Sequence, residues 1–273
     1  MSDNSPSRTL SERESRLLSS LSAAGYTVFT IEDARAALDI DDTGLRKLLH
    51  RLSRKGWLKR LVRGKYLIIP LEAGPEAQWV EHEYLIAASL AEPYYLAYAT
   101  PLQYYGYSDR PLDPVIIAVT RRKRPVVIDG LTYRFALLKP HKFFGYQSIS
   151  LLDQTVQMAE REKAVADAFD RPELVGGVLE AAKGLYFGKE ELDWEKLTAY
   201  SLKLDNQTAM RRLGYWMELL ALGDERLLSR LESSTGHSYA LLEPSGITDG
   251  SHNARWRLII NIPERQLLEW QEH

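Results

Sequence analysis

Leu45, Leu48, Leu49 and Leu52 fall at i, i+3, i+4 and i+7, and Gly56-Trp57 follows two cations just beyond them. That spacing sets the four leucines on one side of a helix. A glycine after the last turn then supplies the left-handed residue on which helices commonly stop. The opposite face carries Thr43, Arg46, Lys47, His50 and Arg54, with Arg51 at its flank. Next come an apolar-rich segment at 57–62, a turn at Arg63-Gly64, and a second segment, Tyr66 to Ile69, closed by Pro70. Residues 43–66 hold nine Lys and Arg and no Asp or Glu. The stretch must bury one side in a small core while the other meets solvent or a polyanion.

Upstream, Leu17, Leu18 and Leu21 make the apolar side of a first helix that stops near Gly25. Thr30-Ile31-Glu32-Asp33 has the form of a capping box, and Ile31, Ala34 and Leu38 continue it as a second apolar stripe. Asp41 or Asp42 is placed to cap the third helix. Three helices and a strand pair in about seventy residues is the winged helix-turn-helix order. The fold expected is α+β: a winged helix-turn-helix over residues 1–70, then a mixed α/β domain over 71–273. Leu71 to Glu76, interrupted by Gly74 and Pro75, reads as the linker.

In the second domain, residues 77–91 have a helical pattern. Thr100-Pro101 resembles an N-cap with a first-turn proline, opening a short helix that Gly106 ends. Pro114 to Thr120 is a buried-strand candidate. Asp129-Gly130, between Val126-Val127-Ile128 and Leu131 to Leu138, suits a type I′ hairpin turn. Helical periodicity dominates from about 160 to 231, Arg255 to Asn261 reads as a late strand, and 263–271 as a terminal helix.

The 273 residues contain no cysteine, which removes disulfide frameworks, thiolate zinc sites and thiol nucleophiles and is compatible with a reducing cytoplasm. No segment has the apolar length of a signal peptide or a membrane span, so a cytoplasmic protein without membrane contact is expected. The net charge of −2 hides an asymmetry. Residues 1–70 carry 13 cations against 8 acids, and the remainder 22 against 29. Phosphate-loop and dinucleotide glycine motifs are absent, and His82-Glu83 lacks a second histidine at zinc-binding spacing. Asp113 and Asp129 flank strand candidates without the acid-x-Lys partner of a nuclease core, and Gly250-Ser251 lacks the Asp-x-Asp of a nucleotidyltransferase. The expectation is no enzyme activity, no cofactor and no metal.

The cationic face has the chemistry of a recognition helix in the major groove, where Arg and Lys meet guanine edges and phosphates. The DNA-binding candidates are Thr43, Arg46, Lys47, His50, Arg51 and Arg54, with Lys59, Arg60, Arg63 and Lys65 on the wing. Arg121, Arg122, Lys123 and Arg124 read either as a solvated loop tip or as a secondary basic patch for phosphate or RNA. Seven of the fifteen tyrosines lie between Tyr84 and Tyr107, among Leu, Ala and Pro, where packing is the better explanation than base stacking.

The chain resembles the AbiEi-type antitoxins of type IV toxin–antitoxin (abortive infection) systems. The likeness rests on LRKLLHRLSRKGWLKRLVRGKYLI, on YLAYATPLQYYGYSDRPLDPVIIAVT around Thr100, Leu102, Tyr105 and Gly106, on EREKAVADAF with Lys163 and Asp167, on RRLGYWMELL (Arg211 to Leu220), and on RWRLIIN. Gly106-Tyr107-Ser108-Asp109 departs from the family's Gly-Leu-Thr/Ser with a following amide. The resemblance implies a DNA-binding antitoxin that represses its own toxin–antitoxin operon through inverted repeats in the promoter. It also implies a partner nucleotidyltransferase toxin, countered by the C-terminal domain. A toxin-holding interaction module and a nucleic-acid-processing enzyme are the rival readings.

Overall fold

The structure, a computed structural model, describes residues 8–271 apart from 78, 153 and 235–237. The first seven residues of the winged helix expected over 1–70 therefore lie outside the described ones. Contacts divide the chain into two units, Met1–Leu90 with Val126–Gly130, and Ala91–Pro125 with Leu131–His273.

The first unit is a winged helix. Its elements are α1 (Glu12–Ala23), β1 (Val28–Thr30), α2 (Ile31–Ala37), α3 (Asp42–Arg54), β2 (Leu58–Val62), β3 (Lys65–Ile68) and α4 (Glu83–Leu90). The capping box at Thr30 is formed: its Oγ accepts from Asp33 N–H, and Asp33 accepts from Thr30 N–H at 2.7 Å. β1, β3 and β2 form an antiparallel sheet in that order, with Val28 opposite Leu67 and Leu58 opposite Ile68. The leucine stripes of α1 and α3 meet Phe29, Ala34, Trp57 and Leu58 in one core. The expected helix over 77–91 begins only at Glu83. There the side chains of Glu81 and His82 take the His82 and Tyr84 N–H groups, which fixes a cap in place of an earlier turn.

The second unit opens with β4 (Tyr94–Leu96), α5 (Ala99–Tyr104) and β5 (Val115–Val119). β6 (Val126–Ile128), grouped by contact with the first unit, leads to β7 (Leu131–Leu137) across Asp129-Gly130. Their φ values of 54° and 81° are those the expected two-residue turn requires. β8 (Tyr146–Leu151) and β9 (Gln154–Ala159) follow. Within this unit the strands lie in the order β7-β5-β4-β9-β8, with β5–β7 and β4–β9 parallel. All five residues of β5 are buried, as its unbroken apolar run predicts.

Thr100 does not cap α5. The helix starts at Ala99, and the buried Thr100 Oγ accepts the Ile116 N–H of β5 at 2.8 Å. A buried strand N–H without a ladder partner needs that acceptor more than the helix needs a hydroxyl cap.

Helices α6 (Arg161–Asp170), α7 (Val178–Phe187), α8 (Trp194–Lys203), α9 (Gln207–Leu219) and α10 (Glu225–Ser233) form the helical half read from periodicity. A small sheet of β10 (Ala240–Leu241), β11 (Ser251–Asn253) and β12 (Leu258–Ile260) and a last helix, α11 (Glu264–Leu268), close the unit. The late strand is thus shorter than residues 255–261. Asn253 Oδ1 accepts from Trp256 N–H at 2.9 Å and Arg257 turns to φ 49°, so the chain bends before it enters β12. No helix among the described residues is long and apolar enough to cross a membrane.

Candidate nucleic-acid interface

α3 is fixed at both ends by local chemistry. Asp41 caps the Gly44 N–H at 3.3 Å. A Cβ at position 44 would stand 2.7 Å from that carboxylate and 2.9 Å from Ile40, so the cap needs glycine there. At the far end Gly56 has φ 71°, its N–H donates to Ser53 O at 3.2 Å, and Trp57 N–H donates to Leu52 O at 3.0 Å. These two bonds are the Schellman pair. Leu45, Leu48, Leu49 and Leu52 are all buried, which turns the other face outward. Thr43, Arg46, Lys47, His50, Arg51 and Arg54 are all exposed. Among the described residues, no carboxylate pairs with Arg46, Lys47 or Arg54.

The charge block read from residues 43–66 is only partly open, because the fold brings acids to it from elsewhere. Glu14 of α1 is buried, with its side chain 1% exposed, and pairs with Lys55 Nζ at 2.7 Å and Arg51 Nε at 3.4 Å. It also accepts the Ser11 N–H at 2.8 Å. Burial works to raise its carboxyl, but the bonds from Lys55 and Ser11 outweigh that and hold the pKa down to about 2. Glu14 therefore ties α1 to the end of α3 and takes up charge from Lys55 and Arg51. The signal for it was the Ser11-x-x-Glu14 spacing of a capping box.

The wing divides by residue type. Lys59 forms an ion pair with Asp129, and Lys65 Nζ donates to the Ser89 carbonyl at the end of α4. Both lysines thus have partners inside the first unit. Arg60 and Arg63 are exposed, and the Arg60 Nε contact is to Val62 O at 3.4 Å, beside a break in the β2–β3 register. Gly64, with φ 80°, makes the turn, and its carbonyl accepts the Ile31 N–H at 3.1 Å. The wing is anchored from the other side by Arg8. Its guanidinium lies 3.9 Å from the Trp57 ring centroid and donates to the carbonyls of Ile69, Pro70 and Gly74.

Arg121, Arg122, Lys123 and Arg124 form an exposed loop of the second unit after β5, with Lys123 Nζ 5.5 Å from the Phe135 ring centroid. The remaining motifs of that unit are spent internally. Lys163 and Asp167 are a buried i, i+4 ion pair, and Lys163 also donates to Tyr95 Oη at 3.0 Å. Burial pushes Asp167 up to about 6 against the pull of Lys163. Arg212 donates to the carbonyls of Leu242 at 2.9 Å and Leu241 at 3.0 Å, and Arg211 to Ser238 O at 2.5 Å. Asp113 accepts the Thr132 N–H at 3.2 Å. No group of three or more His, Asp or Glu that could hold a metal occurs among the described residues.

Residues 16–69 match the family model described as "Transcriptional regulator, AbiEi antitoxin", so the similarity to that family lies in the winged helix. No curated protein sequence matches the chain. Among solved structures, the crystal structure of the RV2827C protein from Mycobacterium tuberculosis matches with a TM-score of 0.69 at 19% identity, over 100% of this chain and 99% of that one. At that identity the likeness is one of fold.

Proposed function

We propose that this chain, with its AbiEi-type winged helix, is a DNA-binding antitoxin that represses its own type IV toxin–antitoxin operon. α3 would enter the major groove, with Thr43, Arg46, Lys47 and His50 toward base edges and Arg54 toward phosphate. Arg60 and Arg63 would follow the backbone from the wing. Lys59, Lys65 and Arg51 would join only by leaving Asp129, Ser89 and Glu14. Two copies would fill the halves of an inverted repeat in the promoter and exclude polymerase by occupancy. The observation that carries this reading is the exposed face of α3, where Arg46, Lys47 and Arg54 have no carboxylate partner among the described residues.

On this reading residues 1–70 repress, and residues 71–273 counter a nucleotidyltransferase toxin encoded beside the chain. The loop at Arg121 to Arg124 adds a secondary phosphate contact. The protein works in the cytoplasm, needs no cofactor and does no chemistry of its own. A reporter gene under the chain's own upstream region tests the first half. Supplied in trans, the wild type should silence the reporter, and the Arg46→Ala/Lys47→Ala double variant should not. Co-expression with the neighbouring nucleotidyltransferase tests the second half, since growth should be restored by both proteins. Full repression by the double variant would refute the assigned face.

A further inference from the structure

A two-residue I′ turn needs residues that tolerate positive φ at both central positions, and Asn-Gly meets that need as well as Asp-Gly. The negative charge of Asp129 is therefore surplus to the turn it makes, at φ 54° before Gly130 at φ 81°. The fold uses it elsewhere: the carboxylate pairs with Lys59, on β2 of the wing, within the first unit. The two side chains are 36% and 27% exposed, so water and ions reach the pair. An ion pair at the surface is a weak and exchangeable contact. The pair of Glu14 with Lys55 is of the other kind, since the Glu14 side chain is 1% exposed and also holds a helix cap.

We propose that Asp129 is an intramolecular stand-in for a DNA phosphate on the wing, holding Lys59 in the free protein and releasing it when a duplex binds. The inference rests on the DNA-binding reading above. It assigns to Asp129 a positioning and affinity-setting role that its turn does not require. Neighbouring charge supports the exchange. Lys65, across the β2–β3 ladder, is committed to the Ser89 carbonyl, and Arg60 on β2 and Arg63 in the wing turn are exposed. A duplex lying along these arginines would offer Lys59 a phosphate at the cost of one exchangeable bond. It would also leave the Asp129 carboxylate near the DNA, lowering the net release of counterions.

The test uses the full chain with two probes, the duplex upstream of its own gene and an unrelated duplex of equal length, each over a salt series. Asp129→Asn keeps a residue suited to the turn and removes only the charge; Asp129→Gly is the second variant should the first fail to fold. Either should bind both duplexes several-fold more tightly at low salt, by the same factor on each, because a phosphate contact carries no sequence information. The slope of log affinity against log salt should steepen by up to about 0.9, one further phosphate neutralised. In a Lys59→Ala background the Asp129→Asn change should bring no gain. Wild-type affinity in Asp129→Asn and Asp129→Gly, or the same gain with and without Lys59, would overturn the proposal. If the wild type binds neither duplex in a salt-dependent way, the DNA-binding reading itself falls, and this inference with it.

Discussion

Single residues decide how much of the cationic face is available, and those decisions are made by partners far away in sequence. Nine cations without an acid in residues 43–66 were legible at once. That Arg51 and Lys55 meet Glu14 and that Lys59 meets Asp129 was not, because the pairs span 37 to 70 positions and carry no local period. Asp129 reads in the sequence as a turn residue, and it is one, but its charge belongs to the wing. Glu14 also makes a pH signature. Its carboxyl is depressed from 4.5 to about 2, so its contribution is fully present above the unfolded value and is lost as pH falls from about 4.5 toward 2. Chemical-denaturation midpoints should decline over that window in the wild type, and Glu14→Gln should remove that part of the decline. Asp167 is the opposite case, raised by burial, and its partner matters more than its titration. Asp167→Ala would leave Lys163 buried with the Tyr95 hydroxyl alone, a loss expected to cost about 3–5 kcal/mol in urea unfolding of the second unit.

Elements were legible where local chemistry sets both ends. The leucine spacing, the aspartate cap and the Gly56-Trp57 stop give α3 its limits in the sequence, and the Asp-Gly turn gives β6 and β7 theirs. Other elements depend on partners supplied by the fold. β8 and β9 have six residues each and break the alternation of polar and apolar residues at Gln147-Ser148 and Gln154-Thr155, and β10 has two residues, held by the Arg212 guanidinium at the Leu241 and Leu242 carbonyls. The RRLGYWMELL motif is explained at this scale, as packing between α9 and the turn before β12. A Cβ on Gly214 would stand 2.1 Å from the Trp256 ring, whose Nε1 donates to Glu218 at 2.6 Å. Gly214→Ala forces either the ring or the helix to move, and is expected to lower stability by about 1–3 kcal/mol. A melting temperature equal to that of the wild type would show that the contact is looser than this. The motif's two arginines donate to backbone carbonyls, which uses them inside this unit.

For the whole molecule, the uneven charge along the chain, basic in residues 1–70 and acidic beyond, corresponds to a basic winged helix followed by a larger α/β unit. The family match covers the first of these, residues 16–69, and the fold likeness runs the full length. The class of fold was therefore legible from periodicity and capping, whereas the antitoxin role came only from resemblance, since no charge pattern encodes a toxin. On the proposed function the open face of α3 binds duplex DNA. Its most direct test is the affinity of the full chain for the duplex upstream of its gene across a salt series, in the wild type, Arg46→Ala and Lys47→Ala. Log affinity should fall linearly with log salt, by about 0.9 per phosphate neutralised, and each alanine should weaken binding. A residue that contacts a base should cost about 1–3 kcal/mol on its own site and relax specificity there, and one that contacts phosphate should make the slope shallower by about one unit. A flat salt response, or unchanged binding in both variants, would contradict it.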